Sequence, residues 1–472
     1  MVAIKRTLPE VHLTPAVLKE LKGIFGERIS QEDVDLVTYA YDATKKSYPP
    51  RVVVWAQTAE EISALMKLAC EHRVPVYPRG GGTGLSGGAL ALQGGILLSL
   101  ERMNRILSID EGNRLVTAEP GIMLGTLKSE VQKRGLFYPP DPSSAKTASL
   151  GGTLAECAGG LNCVKYGTTK DWVQRVKAVL PTGEIISAGS KARKSVTGYN
   201  LLQLLIGSEG TLAVITEAVL RVIPFPNEKA TFIALFDSVA QSSEAVEAML
   251  NSGVTPSTME FIDRPCLEAA NSYIKDHTIP VVEALLLIET DGQDSRRVQE
   301  EATILAEICR QHGATSIQYA SRAEEREALW YVRRNLSPAM YAKAPHKTNE
   351  DICVPIAQFP RILERAYEIG RKYNIMTLCF GHVGDGNIHV NFMTSKEFDE
   401  DVDAAVRELF QETVALGGSI SGEHGIGITK APYLSYEMGA RERLLIRQIK
   451  QLFDPQNILN PGKILPETEG VV

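Results

Sequence analysis

The sequence predicts an α+β chain of two successive domains, and three observations lead there. The chain has 472 residues, more than one hydrophobic core normally organises, so two or three domains are expected. From Arg51 to about Pro226, short β-rich runs alternate with Gly- and Pro-rich connections. Beyond GTLAVITEAVLRVIPFPNE the rhythm lengthens to strand, helix, strand, strand, helix, strand. That last order is the ferredoxin-like plan. The expected division is therefore 1–226, with its core from about 45, and 227–472.

Before residue 50 a short helical run, PAVLKELKGIFG, is mixed with loop. RVVVWA, VPVYP, GGILLSL and RLVTAEPG are β-branched or apolar runs bounded by Gly and Pro, the signature of strands. TAEEISALMKLACEHR and IMLGTLKSEVQKRG carry helical spacing. In the second domain TFIALF, PSTMEFID, VVEALLLIET and TSIQYA read as strands. SVAQSSEAVEAMLNSG and RRVQEEATILAEICRQHG read as helices, and Ala440 to Phe453 as a helix-rich end.

Composition is that of a globular chain, 44% hydrophobic and 23% charged. A net charge of −7 gives no electrostatic reason to bind nucleic acid or an anionic membrane. MVAIKRTLPEVHLTP lacks the apolar core of a signal peptide. Gly80 to Leu100 carries no charge over 21 residues, enough to cross a bilayer. Eight of them are glycine, so the stretch reads as a glycine loop entering a strand. A cytoplasmic protein is expected, with any membrane association made through a partner. The seven cysteines show no CxxC pair and no iron–sulfur pattern.

PRGGGTGLSGGA, Pro78 to Ala89, contains a formal G-x-G-x-x-G at Gly82, Gly84 and Gly87. A Rossmann unit would need a crossover helix next, and GGILLSL begins too soon for one. Consecutive glycines still let several backbone N–H groups converge on an anion, with no Cβ in the way. A tight turn between strands is the plainer alternative, and it would need fewer glycines. PPDPSS adds fixed dihedrals and the Ser143 and Ser144 hydroxyls, while LGGTLAECAGGLNCVKYG and GSEGTL add further small-residue loops. Several such loops feeding one site suit a large, elongated ligand such as a dinucleotide.

GHVGDGNIHV holds two of the eight histidines. If Asp385-Gly386 is a two-residue hairpin turn, His382 lies directly opposite His389. Their Cβ atoms would then be roughly 4.5–5.5 Å apart, a spacing at which two imidazoles can share an ion. Asn391 would share their face. GGSISGEHGIG adds Glu423 and His424. A His₂–carboxylate set leaves coordination positions open, as a catalytic metal requires. Two polar strand-end histidines beside an unrelated loop remain the other reading.

PRGGGTGLSGGA, PPDPSS, LGGTLAECAGG, KYGTTKDWV, TGYNLLQLLIGSEGTLAVITEA and DPQNILNPGKI occur in this order between about residue 40 and 465. Together they resemble the FAD-linked oxidases of the vanillyl-alcohol-oxidase and p-cresol-methylhydroxylase type. Within these, the chain is similar to the branch of D-lactate dehydrogenases and glycolate oxidase FAD subunits. The resemblance implies a two-subdomain FAD-binding domain of p-cresol-methylhydroxylase type over 1–226. A ferredoxin-like C-terminal substrate (cap) domain over 227–472 would follow, with a metal site and a C-terminal FAD-contacting segment.

By that resemblance Gly80, Gly81, Gly82, Thr83, Gly84, Ser86 and Gly87 wrap the FAD pyrophosphate, with Arg79 beside them. Pro140, Asp141, Ser144, Gly151 and Gly152 line other parts of the cofactor. So do Gly207, Glu209 and Gly210, with Ile215 near the adenine half and Asn460 as a further contact. Thr153 and Cys157 stand where the family often has Asn, which alters local contacts with the flavin. The glycine loop contains no His, so FAD is expected to be non-covalent.

The resemblance also implies a divalent metal, zinc or else manganese or iron, on His382, His389 and Glu423. His424 is the implied general base, since imidazole titrates near working pH. Arg333 is the implied carboxylate binder, with Arg334 its obvious confusion, and Asn391 a second substrate contact. The implied reaction is metal-assisted proton abstraction from a small D-2-hydroxy acid with hydride transfer to flavin N5. D-lactate ranks first and glycolate second. The D-2-hydroxyglutarate branch usually has a lysine where this chain has Asn349, and Lys347 is out of register, which argues against a second substrate carboxylate. Alternatives are a D-2-hydroxyglutarate dehydrogenase, a non-redox flavoenzyme like alkyl-dihydroxyacetonephosphate synthase, a flavin-free metal hydrolase, and a non-catalytic scaffold. Electrons would pass to an electron-transferring flavoprotein, an iron–sulfur subunit, a cytochrome or a quinone. The chain would work as a homodimer or as a subunit of a complex, with no nucleic-acid partner.

Overall fold

The computed structural model describes residues 11–396 and 399–465. Residues 1–10, on which part of the signal-peptide expectation rests, lie outside the described residues. The chain forms two compact units. Of the described residues, the first takes those up to Ala158, Thr168–Phe225 and those from Glu423 on. The inserted unit takes Gly159–Gly167 and Pro226–Gly422. This differs from a simple division at 226 in two places: 159–167 joins the inserted unit, and the last segment joins the first.

The first unit holds two main sheets. One has the order β1-β2-β4-β3, from β1 (Ile29–Ser30), β2 (Val52–Trp55), β3 (Val76–Arg79) and β4 (Ile96–Ser99). β4 runs parallel to both β2 and β3. Strands β2 and β4 are buried along their whole length, which is why they read as unbroken apolar runs. Helices Pro15–Phe25 and Ala59–His72 supply Leu21, Phe25, Ile62, Leu65 and Met66 to their core. Thr14 and Thr58 cap those helices through their hydroxyls. β3 and β4 are parallel neighbours joined by the glycine loop alone. A crossover therefore exists, built from loop and not from a Rossmann helix.

The second sheet comes from β5 (Ile106–Asp110), β6 (Leu115–Ala118), the two-residue β7 (Leu136–Phe137), β8 (Val173–Val179), β9 (Ile185–Gly189), β10 (Val214–Arg221) and the two-residue β11 (Ile223–Pro224). Its order is β5-β6-β10-β8-β9, with β7 and β11 paired separately. Every pairing in it is antiparallel. No described helix is long and apolar enough to cross a membrane; the uncharged window at 80–100 is loop and β4.

The inserted unit is built on one sheet of seven strands, ordered β15-β12-β14-β13-β17-β18-β16. They are β12 (Glu228–Phe236), β13 (Thr258–Asp263), β14 (Ala284–Gly292), β15 (Ser316–Ala320), β16 (His346–Cys353), β17 (Met376–His382) and β18 (Asn387–Thr394). The first four, with helices Val239–Leu250 and Ser295–Gln311, form the ferredoxin-like unit. β17, β18 and β16 extend it. A helix at Arg264–Tyr273 intervenes between β13 and β14. Its start signal was in the sequence: Asp263 accepts from the Cys266 amide at 2.9 Å, and a proline occupies the first turn. Ile262, Leu285, Leu287, Val332, Leu336 and Phe380 join in its core.

Candidate active site

The first unit opens into a cleft of about 1270 Å³ of empty space, solvent at its mouth included. Arg79 to Gly84, Ser144, Gly151, Gly152, Glu209, Gly210 and Ile215, all expected cofactor residues, line it together with Glu423 and His424. Two of the glycines are fixed by packing. A Cβ on Gly80 would collide with Ser149 Oγ, and one on Gly81 with the Thr147 carbonyl. Ser149 then does double service. It accepts from the Gly81 amide at 3.2 Å and from the Gly152 amide at 3.3 Å, where it caps the helix Leu150–Glu156. Gly84, by contrast, has only Glu156 Oε1 within reach, at 3.8 Å.

Six expected cofactor residues lie outside this lining. Ser86 is fully buried, and its carbonyl accepts from the Ile428 amide at 2.8 Å. The Gly87 carbonyl takes the Lys463 ammonium at 2.6 Å. Lys128 pairs with the Asp141 carboxylate and reaches the Pro140 carbonyl at 3.0 Å, so both residues set the loop's shape. Gly207, at φ +78°, donates to the Leu154 carbonyl at 3.0 Å. Asn460 Nδ2 ties two cleft loops together, on the Gly88 carbonyl at 3.0 Å and the Glu209 carbonyl at 2.8 Å.

Charge in the cleft suits an anionic cofactor. Arg79 is mostly buried, burial depresses its pKa, and its Nη1 meets no hydrogen-bond partner among the described residues. It lies against Gly82, whose φ of +65° and missing Cβ leave space for the guanidinium. A buried cation with an unmet donor, set in a glycine cradle, fits a pyrophosphate. Glu209 does something the sequence did not show. Its carboxylate accepts from the Ile426 amide at 2.8 Å and the Gly427 amide at 2.7 Å, pinning the loop that carries Glu423 and His424.

The inserted unit carries the histidine pair on one face of β17 and β18. The two-residue turn expected at Asp385-Gly386 does not form. Val383–Asp385 makes a 3-10 turn, with Gly386 at φ +81°, so His382 pairs with Asn387 and His389 with Phe380. The register moves by two residues, an even shift, and so both histidines stay on the same face. They become diagonal neighbours, with ring centroids 5.4 Å apart.

Glu260, from the middle of β13, orders this face. It is completely buried and lies 2.6 Å from His382 Nδ1. Its other oxygen receives Arg333 Nε, also at 2.6 Å. Glu260 thus bridges Arg333 and the His382 ring, which fixes the ring's orientation on the sheet face. Arg333 also stacks over Phe380, its Cζ 4.6 Å from the ring centroid. Arg334, its neighbour, pairs with Glu327 at the surface. Asp351, opposite His389 in the sheet, is buried and accepts from Asn387 Nδ2 at 2.6 Å. Gly422, the last residue of this unit, donates its amide to the Asp351 carbonyl at 3.3 Å.

Asn391 does not present its amide as expected. Nδ2 is engaged by the Leu378 and His389 carbonyls at 3.2 and 3.1 Å, and Oδ1 by Asn349 Nδ2 at 2.8 Å. It braces Asn349, its cross-strand partner.

Residues 225–464 match the family described as FAD linked oxidases, C-terminal domain, and residues 50–189 match a FAD binding domain. The chain belongs to the FAD-linked oxidases. The glycolate oxidase subunit GlcD of Bacillus subtilis is 38% identical over 96% of this chain and 97% of its own. A D-lactate dehydrogenase of Anaerostipes hadrus is 34% identical over 96% and 98%. Among solved structures, substrate-bound p-cresol methylhydroxylase superimposes with a TM-score of 0.80 at 18% identity, covering 98% of this chain and all of that one. Alkyldihydroxyacetonephosphate synthase gives 0.75 at 20% identity, covering 96% and 87%. These structural likenesses speak for the fold, which is the two-domain FAD-binding fold. As a FAD-linked oxidase the protein is a flavoprotein oxidoreductase.

Two residues of the FAD-linked oxidase escaped sequence reasoning. Glu260 is an acid in mid-strand of the apolar TMEFID run. Glu156 is the single charge between Lys146 and Lys165. Each could have been noticed as a carboxylate in a setting that disfavours one.

Proposed function

We propose that this FAD-linked oxidase converts a small D-2-hydroxy monocarboxylate, D-lactate first and glycolate next, to the 2-oxo acid. The observation that carries this reading is the pair of buried imidazoles on one sheet face, with His382 oriented by Glu260. The near-full-length likeness to relatives named for glycolate and D-lactate supports it. When bound, FAD would accept the hydride at N5, and a zinc, manganese or iron ion on His382, His389 and Glu423 would acidify the substrate hydroxyl.

The chain's own residues supply the rest. Glu260 fixes the His382 ring through Nδ1, so that Nε2 would be the atom to bind the ion. Arg333 uses its Nε–Nη2 edge on Glu260 and offers its Nη1 side to the substrate carboxylate. Asn391 acts through Asn349. His424, on the loop that Glu209 pins, takes the hydroxyl proton at a ring nitrogen. Lys347 is turned onto Ser337, with Nζ 2.5 Å from its hydroxyl, which leaves Asn349 where a second substrate carboxylate would need a cation. The seven cysteines are free thiols without cluster-binding spacing, so electrons leave through a separate acceptor. An electron-transferring flavoprotein, an iron–sulfur subunit, a cytochrome or a quinone would serve. The protein then works in the cytoplasm, as a homodimer or in a complex whose partner supplies any membrane contact.

An anaerobic visible spectrum before and after substrate tests this. Bleaching by D-lactate and not L-lactate, lost on metal chelation and restored by a divalent ion, is the expected result. Faster bleaching by D-2-hydroxyglutarate would replace the substrate assignment. A yellow spectrum unmoved by any 2-hydroxy acid would overturn the dehydrogenase reading in favour of a non-redox flavoenzyme.

A further inference from the structure

Behind the glycine loop of the first unit lies a cluster of buried charges that the proposed reaction does not use. Glu156, on the last turn of the helix Leu150–Glu156, lines the cleft. Its Oε1 faces the loop: a Cβ on Gly88 would come within 2.8 Å of it and one on Gly84 within 3.8 Å. Its Oε2 is buried and meets no hydrogen-bond partner among the described residues. A Cβ on Gly425 would collide with that oxygen and stand 3.2 Å from Glu209 Oε1, so the two carboxyl groups close on one spot.

Two carboxyl groups so placed cannot both ionise cheaply. Glu209 has the better claim to the negative charge, because two backbone amides donate to it. Asp42 also faces Glu156, and Lys463 is the cation facing all three acids; Lys430 faces Glu209, and Arg79 faces Asp42. The ammonium of Lys463 is itself turned to the Gly87 and Leu90 carbonyls at 2.6 and 2.8 Å. Among the described residues no hydrogen bond reaches Glu156 Oε2, and the Ser86 hydroxyl is the neutral group beside its carboxyl.

We propose that Glu156 is a neutral carboxylic acid at physiological pH and serves as a hydrogen-bond donor to the bound flavin cofactor, with Glu209 as the charged member of the pair. Burial first, and the Glu209 charge second, push the Glu156 carboxyl well above the usual carboxylate range, in agreement with this assignment. Glu156 is a positioning residue for the cofactor. The inference rests on the flavin reading of the cleft and is independent of substrate and metal.

The test reads cofactor binding and protonation, not turnover. Apoprotein is titrated with FAD by flavin fluorescence, for the native chain, Glu156→Gln and Glu156→Leu, with thermal melting as the folding control. An amide donates as a neutral acid does, so Glu156→Gln should bind FAD within about twofold of native. Glu156→Leu should bind roughly three- to tenfold more weakly, the loss of one neutral hydrogen bond. Infrared spectra of the holoprotein at neutral pH should show a protonated-carboxyl C=O band that Glu156→Gln removes. Absence of that band, equal weakening in both variants, or native-like binding by Glu156→Leu would each overturn the proposal. Failure of the native apoprotein to bind FAD would instead overturn the flavin reading.

Discussion

The cleft of the first unit and the histidine face of the inserted unit are built in opposite ways. The cleft is made largely of backbone: glycines packed on Ser149 and Thr147, amides pinned by Glu209, carbonyls held by Asn460 and Lys463. The histidine face is made of side chains whose positions depend on strand register and on one buried acid, Glu260. A backbone site announces itself in glycine content. A side-chain site announces only its residue types, and its geometry waits on the sheet.

If that contrast is right, removing one side chain should damage the two regions very differently. The largest effect is expected from His424→Ala, which takes away the proposed base. Turnover should fall by roughly 10²–10⁴-fold, the usual worth of general base catalysis, while the visible flavin spectrum shows FAD still bound. Loss of flavin along with activity would break the separation. Glu260→Gln should come next. Its amide no longer forces His382 into one tautomer, and metal affinity by competition with a chelator should drop by roughly 10–100-fold. Unchanged affinity would mean that the buried acid serves only Arg333.

Gly81→Ala tests the backbone region from the other side. The added methyl meets the Thr147 carbonyl, and overpacking of this sort costs about 1–3 kcal/mol. FAD affinity should fall while metal content stays native. The smallest effect should come from Cys157→Asn. Cys157 ends its helix at φ +52°, a conformation Asn tolerates better than Cys. Thermal melting should rise by about a degree or two; a fall would show that the thiol's packing outweighs backbone relief.

The same contrast explains what the sequence disclosed. Strands β2 and β4, the ferredoxin-like order and the cleft loops were legible because apolar runs and glycine clusters act locally. The His382–His389 face was legible only as a face. The turn between them is longer than Asp385-Gly386 suggests, and only the evenness of the resulting shift preserved the pairing. Asn391 and Arg333 show the limit more sharply. Their residue types suited substrate, but whether an amide or a guanidinium edge is already engaged depends on Asn349 and Glu260, which are 42 and 73 positions away in sequence. The helix Arg264–Tyr273 was missed although its Asp-Arg-Pro start was visible, because the strand-rich rhythm on either side left no place for it.

The first unit is discontinuous, and this orders its assembly in time. Leu459 bridges to Val76 beside β3, Asn460 ties Gly88 to Glu209, and Lys463 holds Gly87 and Leu90. During synthesis the glycine loop precedes the inserted unit, yet every one of these fastenings comes from residues made after it. A domain folds as a unit as it emerges, so the inserted unit can be complete while the cofactor cleft is still open. The nascent chain therefore closes its cleft only after the whole inserted unit has been made.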